Sequence, residues 1–511
     1  MKMRQFGKTA CFFMVFCIAA AVASPAQTFT SLRIFTGGNG NDPAASLIQG
    51  TNGNFYGTTA EGGASREGSI FEMTPAGEIT TLYRFCATSG CPDGAGPVGA
   101  LLQASNGNFY GTTYGGGTGT SCPANSGGCG TVFEITSKGT LTTLYNFCSL
   151  SKCADGAYPR GLVQGANGDL YGATTGYNGA PTCFGETRTG CGTVFAITLA
   201  GQLTTLHKFC TTSSCTDGYG PFVALTMGSD GNFYGTTAYG GANSNGTAFQ
   251  ITPQGKLTTI YAFCSLANCV DGSQPVAALA LGSNGDLYGT TNGGGVNNSD
   301  LCANAGCGTI FDLTTAGQLT TLYNFCSETA CDDGYLLWGR LALGSDGNFY
   351  GTTSQGGSNN FGTIFELTSG GQFNSLYTFS CTATNCSDGA RPIAGLLQST
   401  NGTFYGTTTT GGNYETSHNL GDGVAYSWSM GLGPFVEAQF NFGKTGQIVT
   451  ILGNNLASTT NVTFNGLGAA FKVISNTEVK AQVPTGVATG PIQVTTPSGT
   501  LNSNVAFQVL P

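Results

Sequence analysis

One phrase recurs seven times along the chain, Y-G-[TA]-T, with its tyrosine at Tyr56, Tyr110, Tyr171, Tyr234, Tyr288, Tyr350 and Tyr405. The intervals are 54, 61, 63, 54, 62 and 55 residues. A residue repeated this often serves scaffold before chemistry, so the phrase constrains fold more than function. The sixth unit divides into four strand-like pieces, "WGRLALGS" (338–345), "NFYGTT" (348–353), "GTIFELT" (362–368) and "GQFNSLYTF" (371–379), here lettered A to D. Asp-Gly or Asn-Gly between A and B suits a tight hairpin turn, whose central residues need positive φ. Apolar residues alternate with small or polar ones, as in half-buried strands, and no segment has helical periodicity. Four strands per repeat predict one β-propeller blade; a β-helix rung is much shorter.

The ends of the repeat region predict how the ring closes. "TFTSLRIF" (28–35) reads as a D strand ahead of the first A strand, "AASLIQG" (44–50), while "GVAYSWS" (423–429) reads as a C strand with no D strand after it. The expectation is an all-β fold: a seven-bladed propeller over residues 28–430, its 28 strands completed by the N-terminal strand joining the last blade. After residue 430 the cysteines stop, and residues 432–511 read as a small sandwich expected to project from the ring.

The N-terminus, "MKMRQFGKTACFFMVFCIAAAVASPAQ", has a cationic start, a short apolar run and small residues, which predicts a secretory signal (1–26) cleaved after Ala23 or Ala26. Losing Lys2, Arg4 and Lys8 takes the formal net charge from −9 to −12. That charge excludes a basic nucleic-acid footprint, and no later stretch is long and apolar enough to span a bilayer. An exported protein, secreted, periplasmic or at the cell surface, is expected.

Of twenty cysteines, eighteen follow the signal and fall into nine close pairs: Cys86/Cys91, Cys122/Cys129, Cys148/Cys153, Cys183/Cys191, Cys210/Cys215, Cys264/Cys269, Cys302/Cys307, Cys326/Cys331 and Cys381/Cys386. Six of the pairs sit in D-to-A loops that share one pattern, C-x4-C-x-D-G. With two histidines in the whole chain, disulfides in an oxidising compartment are favoured over zinc. Closing loops this small contributes roughly 2 kcal/mol each at most, so the bridges shape loops rather than hold the fold.

The unit "dGnfYGTT..GG…GTvFeiT..G.lTTLYnF…DG..P" resembles the GloVer tandem repeat of exported bacterial proteins, over residues 28 to about 430. The resemblance implies an extracytoplasmic repeat protein with no assigned catalytic residues. The tail, with "GQIVTILGNNL", "NVTFNG", "FKVISNTEVKAQVP" and "GPIQVTTPSG", resembles the IPT/TIG immunoglobulin-like domain, which implies a spacer or contact module.

In a propeller the D-to-A and B-to-C loops emerge on one face, so all nine expected bridges brace the same face. Rigid loops on a scaffold suit binding; protection from proteolysis is the competing reading. The six aspartates Asp93, Asp155, Asp217, Asp271, Asp333 and Asp388 invite a calcium reading, but one per blade does not converge, and capping of their own turns is favoured. Departures from the repeat are more informative. Trp338 and Arg340 interrupt the sixth A strand, and Tyr158, Arg160, Tyr219, Tyr335 and Arg391 hold comparable positions in other blades. Aromatics with a few arginines suit stacking and hydrogen bonding to a sugar or an anion, and plugging of the channel is the alternative. Catalysis has little support: His207 sits at a usual tyrosine position, His418 lacks a nucleophile partner, and Glu61, Glu67, Glu186, Asp300 and Asp422 are merely available on loops. The expected function is non-enzymatic binding or adhesion by a monomer without cofactor or metal, to an extracellular glycan or protein. A polysaccharide hydrolase or lyase is the runner-up, and a purely structural surface component the third reading.

Overall fold

A computed structural model describes residues 27–510 apart from 120–121, 123–126, 177–190, 298, 303–305, 382–385 and 413–420. The expected signal, Cys183, Glu186 and His418 lie outside the described residues. Each repeat forms a four-stranded antiparallel sheet in the order A-B-C-D. In the first blade these strands are Ile48–Gln49, Phe55–Thr59, Ser69–Met73 and Ile79–Arg84. In the seventh, Leu397–Gln398, Phe404–Thr408 and Val424–Ser429 are joined by the N-terminal strand Thr28–Ile34, paired from Thr28↔Ser429 to Ile34↔Val424.

The repeated phrase does its work on the B strand, which is buried on both faces. Its glycine leaves room for the C-strand aromatic: a Cβ on Gly57 would come 2.6 Å from Phe71 Cζ. Its tyrosine stacks on the B-strand Phe of the next blade, as in Tyr56–Phe109 (4.1 Å) and Tyr171–Phe233 (4.1 Å). The hydroxyl of Tyr56 donates to Glu72 and accepts from Asn52 in the A-to-B turn, both at 2.9 Å. The last threonine of the phrase bonds the C strand, as in Thr113–Thr131 at 2.9 Å.

Neighbouring blades also join through glutamines at the ends of A strands: Thr51 N donates to Gln103 Oε1 (3.0 Å) and Ser105 N to Gln164 Oε1 (3.0 Å). The same two contacts recur between the seventh and first blades, where Tyr405 meets Phe55 at 4.2 Å and Thr400 N donates to Gln49 Oε1 at 2.9 Å.

The C-terminal module is a two-sheet sandwich. One sheet holds Glu437–Ala438, Ile448–Leu452, Glu478–Gln482 and Phe471–Val473; the other holds Leu467–Gly468, Asn461–Phe464, Ile492–Thr496 and Gly499–Asn502. Alternate residues such as Val449, Ile451, Val462, Phe464, Val479 and Val494 fill its core. The module does not stand clear of the ring. Gln439 Nε2 donates to Gln103 O (3.0 Å), Thr477 Oγ1 to Thr51 O (2.8 Å), Asn454 Nδ2 to Thr400 Oγ1 (2.8 Å) and Asn504 Nδ2 to Leu343 O (3.3 Å). Four blades therefore present their A-to-B turns to it. Among the described residues no helix is long and apolar enough to cross a membrane.

Candidate functional site: the disulfide face and the axial channel

On the opposite face eight of the nine expected bridges are formed: Cys86–Cys91, Cys122–Cys129, Cys148–Cys153, Cys210–Cys215, Cys264–Cys269, Cys302–Cys307, Cys326–Cys331 and Cys381–Cys386. Cys191 is also disulfide-bonded and is buried just ahead of the third C strand, Thr193–Ile197, while its expected partner Cys183 lies outside the described residues. In the fifth blade the bridge of the B-to-C insert lies against that of the D-to-A loop. The sulfurs of Cys302, Cys307, Cys326 and Cys331 are all within 4.8 Å of one another.

The six C-x4-C loops, equivalent by pattern, differ in conformation. In five of them both cysteines have left-handed backbone; the second ones are Cys91 (φ 48°), Cys153 (47°), Cys215 (40°), Cys269 (54°) and Cys331 (59°). Cys153 and Cys269 end short 3-10 turns, Ser151–Cys153 and Ala267–Cys269. The sixth loop shares the cysteine pattern but not this conformation. Cys386 opens a short strand, Cys386–Ala390, and pairs with Gly412. Ser380 is the reason: it adds one residue, so Asp388 lies 11 positions after Tyr377, where Asp333 lies 10 after Tyr323. The longer loop reaches the same aspartate lock without left-handed cysteines. Cys153, Cys191 and Cys386 are buried, so these bridges brace the face and offer a ligand nothing themselves.

The repeated aspartates hold their own loops: Asp333 accepts from Tyr323 Oη (2.8 Å) and Ser327 N (2.9 Å), and Asp93 from Tyr83 Oη (2.9 Å) and Cys86 N (3.1 Å). His207 replaces the tyrosine in this lock, with Nε2 at 2.9 Å from Asp217.

The residue ahead of each proline place has left-handed backbone in all seven blades: Asp42 (φ 56°), Gly96 (61°), Tyr158 (61°), Gly220 (68°), Gln274 (55°), Leu336 (59°) and Arg391 (56°). For residues other than glycine this costs on the order of 1 kcal/mol. The preceding blade offsets it by accepting the residue's N–H: Tyr158 N donates to Cys129 O (2.9 Å), Gln274 N to Asn245 O (2.9 Å) and Arg391 N to Phe361 O (2.9 Å). Here the repeat fixes the backbone and lets the side chain vary.

Three of the seven residues singled out from sequence share one strip across the second, third and fourth blades. Tyr158 stacks on Tyr114 at 4.8 Å, and the guanidinium of Arg160 lies 4.9 Å from the Tyr114 ring and 5.5 Å from Phe222. Phe222 meets Tyr239 edge-on at 6.2 Å, and Tyr239 stacks on Tyr219 at 5.5 Å. Tyr114 is 40% exposed while Tyr158 beneath it is buried. Arg160 is enclosed, its Nε has no hydrogen-bond partner, and burial lowers its pKa.

Trp338, 46% exposed, stands on the sixth blade at the channel, and Arg391 is exposed on the seventh. Tyr335 is buried, its hydroxyl 3.4 Å from Asn360 Oδ1.

Inside the ring the A strands surround a cavity of about 590 Å³, lined largely by Ala, Gly, Leu and Val and reached at its far end by Glu437–Phe442 of the sandwich. Among the described residues its charged lining is Arg160, Arg340 and Glu437. Arg340 lies inside the ring with its side chain exposed to the cavity, where Glu437 acts on its charge. Ion pairs within 4.0 Å among the described residues are His207–Asp217 and Lys480–Glu478, so Arg340 has none. Burial pushes the Glu437 carboxyl up to about 7, and Arg340 pulls it back down.

Sequence reading missed Tyr114, Phe222, Tyr239 and Glu437. Tyr114 directly follows YGTT, Phe222 directly follows the proline and Tyr239 lies two residues after YGTT, so aligning the seven units there exposes them. Glu437 needs the docked sandwich and leaves no such signal. Asp42 is the acidic counterpart of Tyr158 and Arg391, and its carboxyl is pushed up to about 6 by burial and by nearby Glu61.

Strand order and docking define the class: a seven-bladed, disulfide-braced propeller with an immunoglobulin-like sandwich on one face. The Gloeobacter/Verrucomicrobia repeat matches residues 18–185, 119–302, 184–420 and 268–468, and the IPT/TIG domain matches residues 434–509. The chain belongs to the Gloeobacter/Verrucomicrobia repeat family and carries an IPT/TIG domain. No curated protein matches it. Among solved structures it is similar to virginiamycin B lyase from Staphylococcus aureus (16% identity, 79% of this chain and 99% of that one, TM-score 0.48). It is also similar to a fungal alcohol oxidase of the AA5 family in complex with copper (13% identity, 96% and 100%, TM-score 0.49).

Proposed function

We propose that the protein is an exported, monomeric, non-enzymatic binding or adhesion protein that holds a glycan on its disulfide-bearing face. The observation that carries this reading is the aromatic strip Tyr158–Tyr114–Arg160–Phe222–Tyr239–Tyr219, interrupted by one guanidinium. Sugar rings stack their C–H faces on aromatic planes, and a guanidinium supplies several hydrogen-bond donors in one plane. Trp338 on the sixth blade and Arg391 on the seventh add an exposed ring and an exposed cation apart from the strip. The disulfides favour an oxidising, extracytoplasmic setting, and the rigid backbone they brace lowers the ordering cost of binding. The negative net charge argues against nucleic acid.

The test is a glycan array with the oxidised mature chain, with released products followed by mass spectrometry. Binding without turnover, lost in Tyr114→Ala and Tyr239→Ala, supports the reading; binding unchanged in both variants overturns it. A second reading, a polysaccharide hydrolase or lyase, is favoured by the perturbed Asp42 beside Glu61. Turnover abolished by Asp42→Asn supports that alternative. Silence in both assays favours a structural role.

A further inference from the structure

The disulfide face holds a cluster of sulfurs that the glycan reading does not use. In the fifth blade the B-to-C insert carries Cys302–Cys307, and the D-to-A loop carries Cys326–Cys331. All four sulfurs lie within 4.8 Å of one another, and Cys302 Sγ is 3.6 Å from Cys326 Sγ. Two bridges that share no bond are therefore in contact. Cys302 and Cys326 are half-buried, while Cys307 and Cys331 are buried. The second blade repeats the arrangement, with the sulfurs of Cys122, Cys129 and Cys148 gathered within the same distance. Among the described residues Cys86–Cys91 belongs to no such group.

This contact changes what a thiol can do. A thiolate breaks a disulfide by attacking one sulfur and displacing the other as a thiolate. At an isolated bridge the displaced thiolate has only the mixed disulfide to attack, so the original bond re-forms. In the fifth blade a second bridge lies within its reach. Paired as they are, the four sulfurs present no thiolate to a metal, and exchange is the chemistry open to them.

We propose that these four cysteines form a thiol–disulfide exchange site, where a small thiol acts as catalyst and re-pairs the two bridges. The external thiolate attacks Cys326 Sγ, giving a mixed disulfide and releasing Cys331 as a thiolate. Cys331 attacks Cys307 Sγ, forming Cys307–Cys331 and releasing Cys302. Cys302 attacks the mixed disulfide at Cys326 Sγ, forming Cys302–Cys326 and returning the external thiolate. Each step makes one S–S bond and breaks one, so no oxidant or reductant is consumed. Cys302–Cys326 spans 24 residues, where each present bridge spans 5. The insert is then pinned to the D-to-A loop, and the longer closed loops restrict the unfolded chain more. Exposed Asp300, Glu328 and Asp332 lie on these two loops, and no Lys, Arg or His occurs between Lys256 and Arg340. A thiol carrying a positive charge is the class that suits such surroundings.

The test treats the full oxidised chain with catalytic cysteamine, quenches it with acid and digests it with pepsin without reduction. In the present pairing the Cys302–Cys307 and Cys326–Cys331 peptides separate, because Leu, Phe and Tyr between Cys307 and Cys326 give pepsin its sites. Mass spectrometry is expected to find the two peptides separate before cysteamine and joined after it, with Tm shifted upward. Cys86–Cys91 stays within its own peptide throughout. Cys326→Ala leaves Cys331 as a resident thiol, which attacks Cys307 and joins the two peptides with no added thiol. Peptides that stay separate in the treated native chain overturn the proposal, as does a Cys331 that remains a free thiol in Cys326→Ala. So does joining of the Cys86–Cys91 peptide to others at the same rate. Tyr114→Ala leaves the exchange intact, so failure of the glycan reading and failure of this one are distinguishable.

Discussion

The two faces of the ring are built from the same repeats but use them differently. On the A-to-B face the repeated tyrosine hydroxyl bonds the Asn or Asp of the turn four residues before it in every blade, from Tyr56 with Asn52 and Tyr110 with Asn106 to Tyr350 with Asp346 and Tyr405 with Asn401. On the disulfide face the backbone is as regular ahead of the proline place, with a left-handed residue in every blade, yet the side chain there runs Asp, Gly, Tyr, Gly, Gln, Leu, Arg. Uniform side chains mark where blades must fit one another. Variable side chains on a fixed backbone mark where the molecule is free to meet something else.

The contrast breaks most visibly if closure itself is removed. Deleting residues 27–35 strips the outer strand from the seventh blade and uncovers partners of Phe29, which stacks on Tyr377 at 4.2 Å, and of Phe35, which is fully buried. Burial of those side chains with Leu32 contributes on the order of 5 kcal/mol, so a thermal melt should lose that much stability or its cooperativity. Next in size is the uniform lock. Tyr56→Phe leaves Glu72 and Asn52 without the hydroxyl and costs about 1–3 kcal/mol in urea unfolding. By contrast Tyr114→Phe, on the variable face, stays within about 0.5 kcal/mol. Equal costs at the two positions would erase the distinction.

Replacing Cys86 and Cys91 together by serine costs roughly 2 kcal/mol or less, and limited proteolysis should cut first in that loop. A further effect has the opposite sign and depends on pH. Burial raises the Asp42 pKa in the folded state to about 6, against an ordinary value of 3.8. The folded chain therefore binds that proton more tightly: the associated stability is full below about pH 4 and lost as pH rises through 6. Asp42→Asn should raise Tm at pH 8, with the gain vanishing by pH 4; a gain independent of pH would refute the assignment.

The fold was legible in the sequence because each blade restates it. Period, turn dipeptides and the orphan strand "TFTSLRIF" led to seven blades and to the donor of the last strand, since strand pairing follows local pattern. The bridges were legible as pairs, but the single extra residue that carries Cys386 into a strand was passed over because the cysteine spacing itself is unchanged. The site was less legible. Arg160 and Tyr219 stood out as departures, but the rings linking them, Tyr114, Phe222 and Tyr239, sit beside the repeated phrase or the proline and show only when the units are aligned residue by residue. Tyr335, similar to Tyr219 by position and bridged to Gln355, is buried in an apolar cluster with Cys307, Phe325, Cys331 and Leu337. Docking of the sandwich was illegible, as it rests on single hydrogen bonds from Gln439, Thr477, Asn454 and Asn504 to backbone or turn atoms, which leave no periodic trace.

The pairing of Thr28 with Ser429 also has a consequence in time. The earliest strand of the ring to be synthesised has no partner until some 400 residues have followed it. Six blades can condense through local hairpins, but the seventh needs the most distant contact in the ring, and contacts between distant segments form slowly. Until then an edge strand stays unpaired and open to other chains. A ring sealed by its own beginning therefore cannot finish early, and a chain truncated anywhere before residue 424 is left without its latch.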